Sequence, residues 1–118
     1  MRYLCLVYVD ERLLSNLPPA ARAELEAECR DYCERLQASG QLVIGEVLQP
    51  LFCATTLRPQ GDGFALRDGP LLDNPEQPAA FYLFEARDLN DAILLASHIP
   101  PVKLGCAEVR AVRPRAPP

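Results

Sequence analysis

Tyr3-Leu4-Cys5-Leu6-Val7-Tyr8-Val9 is the stretch on which the fold turns. Its β-branched and aromatic residues read as a strand, and it is apolar on both alternations: Tyr3, Cys5, Val7 and Val9 on one, Leu4, Leu6 and Tyr8 on the other. Successive side chains of a strand point to opposite faces, so both faces of the sheet that contains it must be covered. Phe81-Tyr82-Leu83-Phe84 repeats this two-sided pattern near the other end of the chain.

Working outward, Pro18-Pro19 can open a helix and Gly40 can close one, which predicts a helix from about Pro19 to Ser39. Ala21, Leu25, Cys29, Tyr32, Cys33 and Leu36 keep the three- and four-residue spacing of one buried stripe, with Arg22/Glu26 and Arg30/Glu34 paired on the wet side. Leu42 to Leu48 and Phe52 to Arg58 read as extended, with a bend at Pro50, and Gly61-Asp62-Gly63 turns the chain into a short strand ending at Arg67. Asp88 is a good N-cap for a second helix with Leu89, Ala92, Ile93 and Ala96 inward, ending near His98 before Pro100-Pro101. A last strand spans about Ala107 to Val112. Residues 1–112 are expected to form a single domain, and the tail 113–118, which carries no core residue, to fray.

Two strand–helix units flanking hairpin strands match an α+β, ferredoxin-like split βαβ arrangement, an antiparallel sheet with two helices on one face. Two helices cover one face only. The other face of Tyr3 to Val9 and Phe81 to Phe84 then calls for a second copy, which predicts a homodimer through the sheet face, a dimeric α+β barrel.

The chain has 118 residues, 49% of them apolar, which is ordinary for a globular protein and favours one core over several. A net charge of −4 speaks against a phosphate-tracking surface, so no nucleic-acid partner is expected. No apolar run approaches the roughly 20 residues that span a bilayer, and the opening residues are too short for a secretory leader, which predicts a cytoplasmic protein with no membrane partner. The five cysteines, Cys5, Cys29, Cys33, Cys53 and Cys106, are odd in number and scattered, so free buried thiols are expected. Cys29 and Cys33 share a helix face, but with His98 as the lone histidine no ligand set has zinc-site spacing, and neither metal nor cofactor is expected.

The candidate site lies in Arg67-Asp68-Gly69-Pro70-Leu71-Leu72-Asp73-Asn74-Pro75-Glu76-Gln77-Pro78, an acidic insert rich in Gly and Pro. Gly69 supplies a positive φ and Pro70 a fixed one, so Asp68 is presented on a stiff turn, while Pro75 and Pro78 argue against a helix or central strand just beyond. Asp68 is either a general base or substrate-orienting carboxylate, or an acceptor of backbone N–H groups in its own turn. Asp68, Glu76 and His98 are the catalytic candidates; Arg58, Asp68, Gly69, Glu76 and Gln77 are the ligand-binding ones, with Arg58 as a clamp for an anionic group. His98 sits where a helix end also accounts for it. A small-molecule-binding protein or a cofactor-independent enzyme using loop carboxylates is the leading expectation, and a non-enzymatic dimeric accessory protein the alternative.

Met1-Arg2-Tyr3-Leu4-Cys5-Leu6-Val7-Tyr8, Leu48-Gln49-Pro50, Ala54-Thr55-Thr56-Leu57-Arg58, Asp68-Gly69-Pro70, Glu76-Gln77, Phe81-Tyr82-Leu83, Ala86-Arg87-Asp88-Leu89, Ile99-Pro100 and Glu108-Val109-Arg110, in this order and spacing, resemble the YCII-related family in its DGPF branch. The resemblance implies a ferredoxin-like dimeric α+β barrel of bacterial origin, an unsettled function, and a link to sigma-factor signalling for the accessory reading. The chain departs from the branch at Leu71, where Phe is usual, at Pro75, where Lys is usual, and at Ala79-Ala80 in place of two glycines. A His-Asp pair found in another branch has no counterpart, since no histidine precedes His98.

Overall fold

The structure, a computed structural model, describes residues 1–115. Strand β1 (Arg2–Asp10) leads through a short helix α1 (Glu11–Ser15) to the long helix α2 (Pro19–Ala38) and strand β2 (Leu42–Val47). A hairpin of β3 (Thr55–Gln60) and β4 (Gly63–Asp68) follows, then β5 (Glu76–Glu85), helix α3 (Leu89–Ser97) and β6 (Gly105–Ala111). The main sheet has the order β2-β5-β1-β6 with every neighbour antiparallel. With the hairpin set aside, this is the ferredoxin-like arrangement: each crossover helix joins strands separated by one antiparallel neighbour.

One alternation of β1 explains where the core sits. Tyr3, Cys5, Val7 and Val9 are all buried, as are their counterparts Tyr82 and Phe84 on β5 and Leu42 on β2. Tyr32 from α2 meets Tyr82 edge-on at 6.0 Å, and its hydroxyl donates to the Leu95 carbonyl of α3 at 2.6 Å, so both long helices close over this face. Tyr82 and Phe84 stack beneath them at 6.2 Å. The other alternation carries Leu4, Leu6 and Tyr8 on β1, Phe81 and Leu83 beside them on β5, and Ile44 beyond on β2, with no helix over them. These side chains are part-exposed because nothing but their strand neighbours screens them.

Several expectations are corrected. The segment between β1 and α2 is helical over Glu11–Ser15, because Asp10 caps it by accepting from the Arg12 N–H at 3.0 Å. Phe52 does not begin a strand: Leu51–Cys53 makes a 3₁₀ turn and extension starts at Thr55. Pro78 lies inside central strand β5, tolerated because it falls at the register shift between Val7 and Tyr8 and beyond the last pairing of β5 with β2. Glu76 and Gln77 therefore belong to β5, and the connecting loop shrinks to Gly69–Pro75. On α2 the ion pair is Asp31–Arg35 at 3.0 Å, while Arg22 donates to the Leu14 and Ser15 carbonyls and holds α1. On α3 the inward residues are Ala92, Leu95 and Ala96, and Ile93 is half-exposed. Cys5 alone among the cysteines is buried; Cys53 and Cys106 are exposed. Beyond β6, Val112 still donates to the Arg2 carbonyl, residues 113–115 are exposed without regular structure, and the rest of the expected tail lies outside the described residues. No helix among the described residues is long and apolar enough to cross a membrane.

Candidate functional site

At the foot of the hairpin, the Gly69–Pro75 loop folds back toward the open face of the sheet. Gly69 has φ of 108°, where a side chain is strained, and its N–H donates to the Ala54 carbonyl at 2.8 Å while Thr56 Oγ1 donates to the Gly69 carbonyl at 2.8 Å. Arg67 reaches over the turn to the Pro70 and Leu71 carbonyls. Gln77, buried, donates its amide to the Leu72 and Asn74 carbonyls and ties the far limb of the loop to β5. This loop is thus held by side-chain-to-backbone bonds at both ends.

Between loop and sheet lies a cavity of about 490 Å³, walled by Leu48, Pro50, Leu51, Pro70, Leu71 and Pro78 and edged by Tyr8, Asn74, Glu76 and Gln77. A smaller polar cleft of about 220 Å³ adjoins it and shares Tyr8, Asn74 and Glu76, adding Cys106 and Glu108. The antiparallel register sets this cluster up: Tyr8 stands opposite Pro78 on β5 and Cys106 on β6, and the Tyr8 hydroxyl donates to Glu108 Oε1 at 3.2 Å. Cys106 Sγ points at Glu76 Oε1 across 3.8 Å. Desolvation first, and the Glu76 charge second, hold the Cys106 thiol above its ordinary value, so it is a neutral thiol near neutral pH and a poor nucleophile. Tyr8 is likewise pushed up, by desolvation and then by its bond to Glu108.

The residues singled out from the sequence divide. Glu76 lines both cavities. Gly69 and Gln77 build the loop, and the Gln77 amide is spent on that task. Asp68 closes the base of the hairpin opposite Thr55, exposed, neither lining a cavity nor accepting a turn bond among the described residues. Arg58 pairs with Ala65 midway along the hairpin, on the ribbon face it shares with Thr56 and Arg67, and lines neither cavity. His98 caps the C-terminus of α3, its Nδ1 2.9 Å from the Leu94 carbonyl, and lines neither cavity. Tyr8, Cys106 and Glu108 were not grouped with Glu76 because only the pairing of β1 with both β5 and β6 brings them beside it. The signal was present in the two-sided alternation of β1, which places Tyr8 on the open face.

A second apolar cavity of about 540 Å³ lies on the helix side, between α1, α2 and the end of the sheet, and shares only Pro50 with the first. Among the described residues no three His, Cys, Asp or Glu side chains converge as a metal site would require.

No curated protein matches the chain. A solved structure of the same fold is 5-chloro-2-hydroxyhydroquinone dehydrochlorinase from Burkholderia phenoliruptrix in complex with 2,5-dihydroxybenzoquinone, which superposes with a TM-score of 0.55 at 18% identity over 96% of this chain and 94% of that one. At that identity the likeness speaks for the fold. The family model of the YCII-related domain matches residues 1–116, and the chain belongs to that family.

Proposed function

We propose that this YCII-related protein binds a small, flat, hydroxylated ring compound at the foot of the hairpin, acting as a homodimer and without a cofactor. The observation that carries the reading is the sharing of Tyr8, Asn74 and Glu76 between the apolar cavity and the polar cleft. Leucine and proline walls take the faces of a ring, while Glu76 and Glu108 accept from its hydroxyl groups and Tyr8 orients Glu108. Carboxylates on opposite sides of one cleft also offer the proton acceptors that a cofactor-independent reaction at such a ring would use. The dehydrochlorinase of the same fold, whose name gives a hydroxylated ring as its substrate, supports this ligand class.

Hydroxyhydroquinone, kept anaerobic, is the probe. It should raise the thermal midpoint of the wild-type protein, and Glu76→Gln should abolish that rise while leaving the unliganded midpoint within a degree or two, because Glu76 is an exposed strand residue. A rise that survives in Glu76→Gln places the ligand elsewhere. Leu71 and Leu72, 54% and 64% exposed at the cavity mouth, favour a second reading, a non-enzymatic accessory protein whose loop contacts a partner, and an inert response to every ring compound would select it.

A further inference from the structure

The β3–β4 hairpin is a two-sided ribbon. Its register places Leu57 opposite Leu66 and Pro59 opposite Phe64 on one face, and Thr56 opposite Arg67 and Arg58 opposite Ala65 on the other. Beyond the Thr55/Asp68 pair at its base the first face is apolar, yet Leu57, Phe64 and Leu66 are 55%, 63% and 71% exposed. The ribbon forms a separate two-stranded sheet, joined to the main sheet by no backbone ladder. Isolated two-stranded ribbons are marginal in water and need a packed face to persist. The chain is correspondingly extended: its radius of gyration is 16.3 Å, whereas about 13.5 Å is ordinary for a domain of this length.

We infer that this arm clasps a second copy of the chain, and that the clasp, together with the open sheet face, encloses the cleft at Tyr8, Glu76, Cys106 and Glu108. The inference rests on the homodimer of the preceding reading and adds the element that holds it. Area favours the arm as part of that interface. Four strands about 4.8 Å apart and about seven residues long, at about 3.4 Å per residue, give an open face of roughly 450 Å². Two such faces bury roughly 900 Å², short of the about 1,200 Å² at which stable interfaces begin. An arm about 10 Å wide and about 20 Å long buries roughly 400 Å² when the surface it covers is included, and two arms bring the total to about 1,700 Å².

The arms thus nearly double the flat area that the sheet faces alone present and bring it to standard size. The charges on the face suit a copy of itself. Glu108 and Arg110 stand two apart on β6, across from Leu6 and Leu4, and among the described residues no carboxylate pairs with Arg110. A two-fold axis through such a face brings Arg110 of one copy toward Glu108 of the other. In one copy the cleft is open to water along that same face, and two copies turn it into an enclosed cavity.

The test uses the full chain at about 10 μM, a Cys53→Ser background so that among the cysteines only Cys106 is exposed, and the double variant Leu57→Asp/Leu66→Asp. Sedimentation equilibrium should return twice the 13.1 kDa chain mass for the parent and the single mass for the arm variant, with Cys106 reacting with Ellman's reagent at least tenfold faster in the variant. Both substitutions lie outside the core, and a retained thermal transition confirms folding; should it be lost, Phe64→Lys near the tip gives the same comparison. A dimeric parent whose arm variant dissociates no more readily overturns the clasp and leaves the dimer standing. A monomeric parent overturns both, and a thiol equally reactive in both proteins overturns the enclosure.

Discussion

Phe84 and Leu83 are consecutive on β5 and live in different environments. Phe84 is fully buried beneath α2 and α3, stacked on Tyr82, whereas Leu83 faces away from them, beside Leu4 and Ile44, and keeps part of its surface in water. The sheet thus has one face finished within the chain and one left unfinished. The finished face carries stability and the unfinished face carries the cleft, so the two should respond differently to the same kind of change.

The largest expected difference lies there. Phe84→Ala should cost about 3–5 kcal/mol, as deletion of a fully packed aromatic does, while Leu83→Ala in dilute protein should cost about 1 kcal/mol or less because its cavity opens to water. Chemical denaturation of both variants at sub-micromolar and at tens of micromolar concentration sharpens the comparison. The Phe84→Ala deficit should stay constant, and the Leu83→Ala deficit should grow with concentration if a second copy covers that face. Equal deficits at all concentrations would erase the distinction between the faces.

A smaller contrast involves acid–base chemistry. Cys5 lies on the finished face, and burial raises its thiol from 9.0 to about 11. A group whose ionisation is raised on folding contributes stability in full below its unfolded value and loses it as pH climbs through the folded one. Stability should therefore fall by about 2–3 kcal/mol between pH 9 and pH 11 on account of this thiol, and Cys5→Ala, though less stable at neutral pH, should flatten that part of the curve. Cys106→Ala, on the unfinished face and exposed, should leave the alkaline slope nearly unchanged. Parallel slopes in wild type and Cys5→Ala would show that alkaline loss arises elsewhere.

The same contrast explains what the sequence could disclose. The buried alternation of β1 and the α2 stripe were legible because burial in a core imposes a period on the residues themselves, and two-sided Tyr3 to Val9 announced an uncovered face before any pairing was known. α1 was not legible, since five residues carry too little periodicity to outweigh the polar Asp10, Glu11 and Arg12. Pro78 misled because its tolerance depends on a register shift, a property of two strands and not of one. The site fared worst. Asp68, Arg58 and Glu76 were grouped by nearness along the chain, yet Glu76 gains its neighbours Tyr8, Cys106 and Glu108 through pairing, while Arg58 stands midway along the hairpin and lines neither cavity. The amphipathic arm sits between these cases, with Leu57, Phe64 and Leu66 visible but facing together only in the observed register.

The smallest effect is expected at Tyr8, where the two faces meet function. Its hydroxyl is exposed enough that the 3.2 Å bond to Glu108 can be replaced by water, so Tyr8→Phe should shift stability by no more than about 0.5 kcal/mol. The ring, standing on the open face opposite Pro78 and Cys106, keeps its packing in the variant. What the substitution removes is the donor that fixes the Glu108 carboxylate beside Glu76. Binding of hydroxyhydroquinone should then weaken about fivefold to tenfold, an energy near 1–1.4 kcal/mol, since one of two accepting groups loses its orientation while Glu76 is untouched. Titration followed by thermal midpoint separates the outcomes. A stability loss above 1 kcal/mol would make Tyr8 a structural residue of an already finished face, and unchanged affinity with unchanged stability would leave Glu108 outside the site and narrow the polar edge to Glu76 and Asn74.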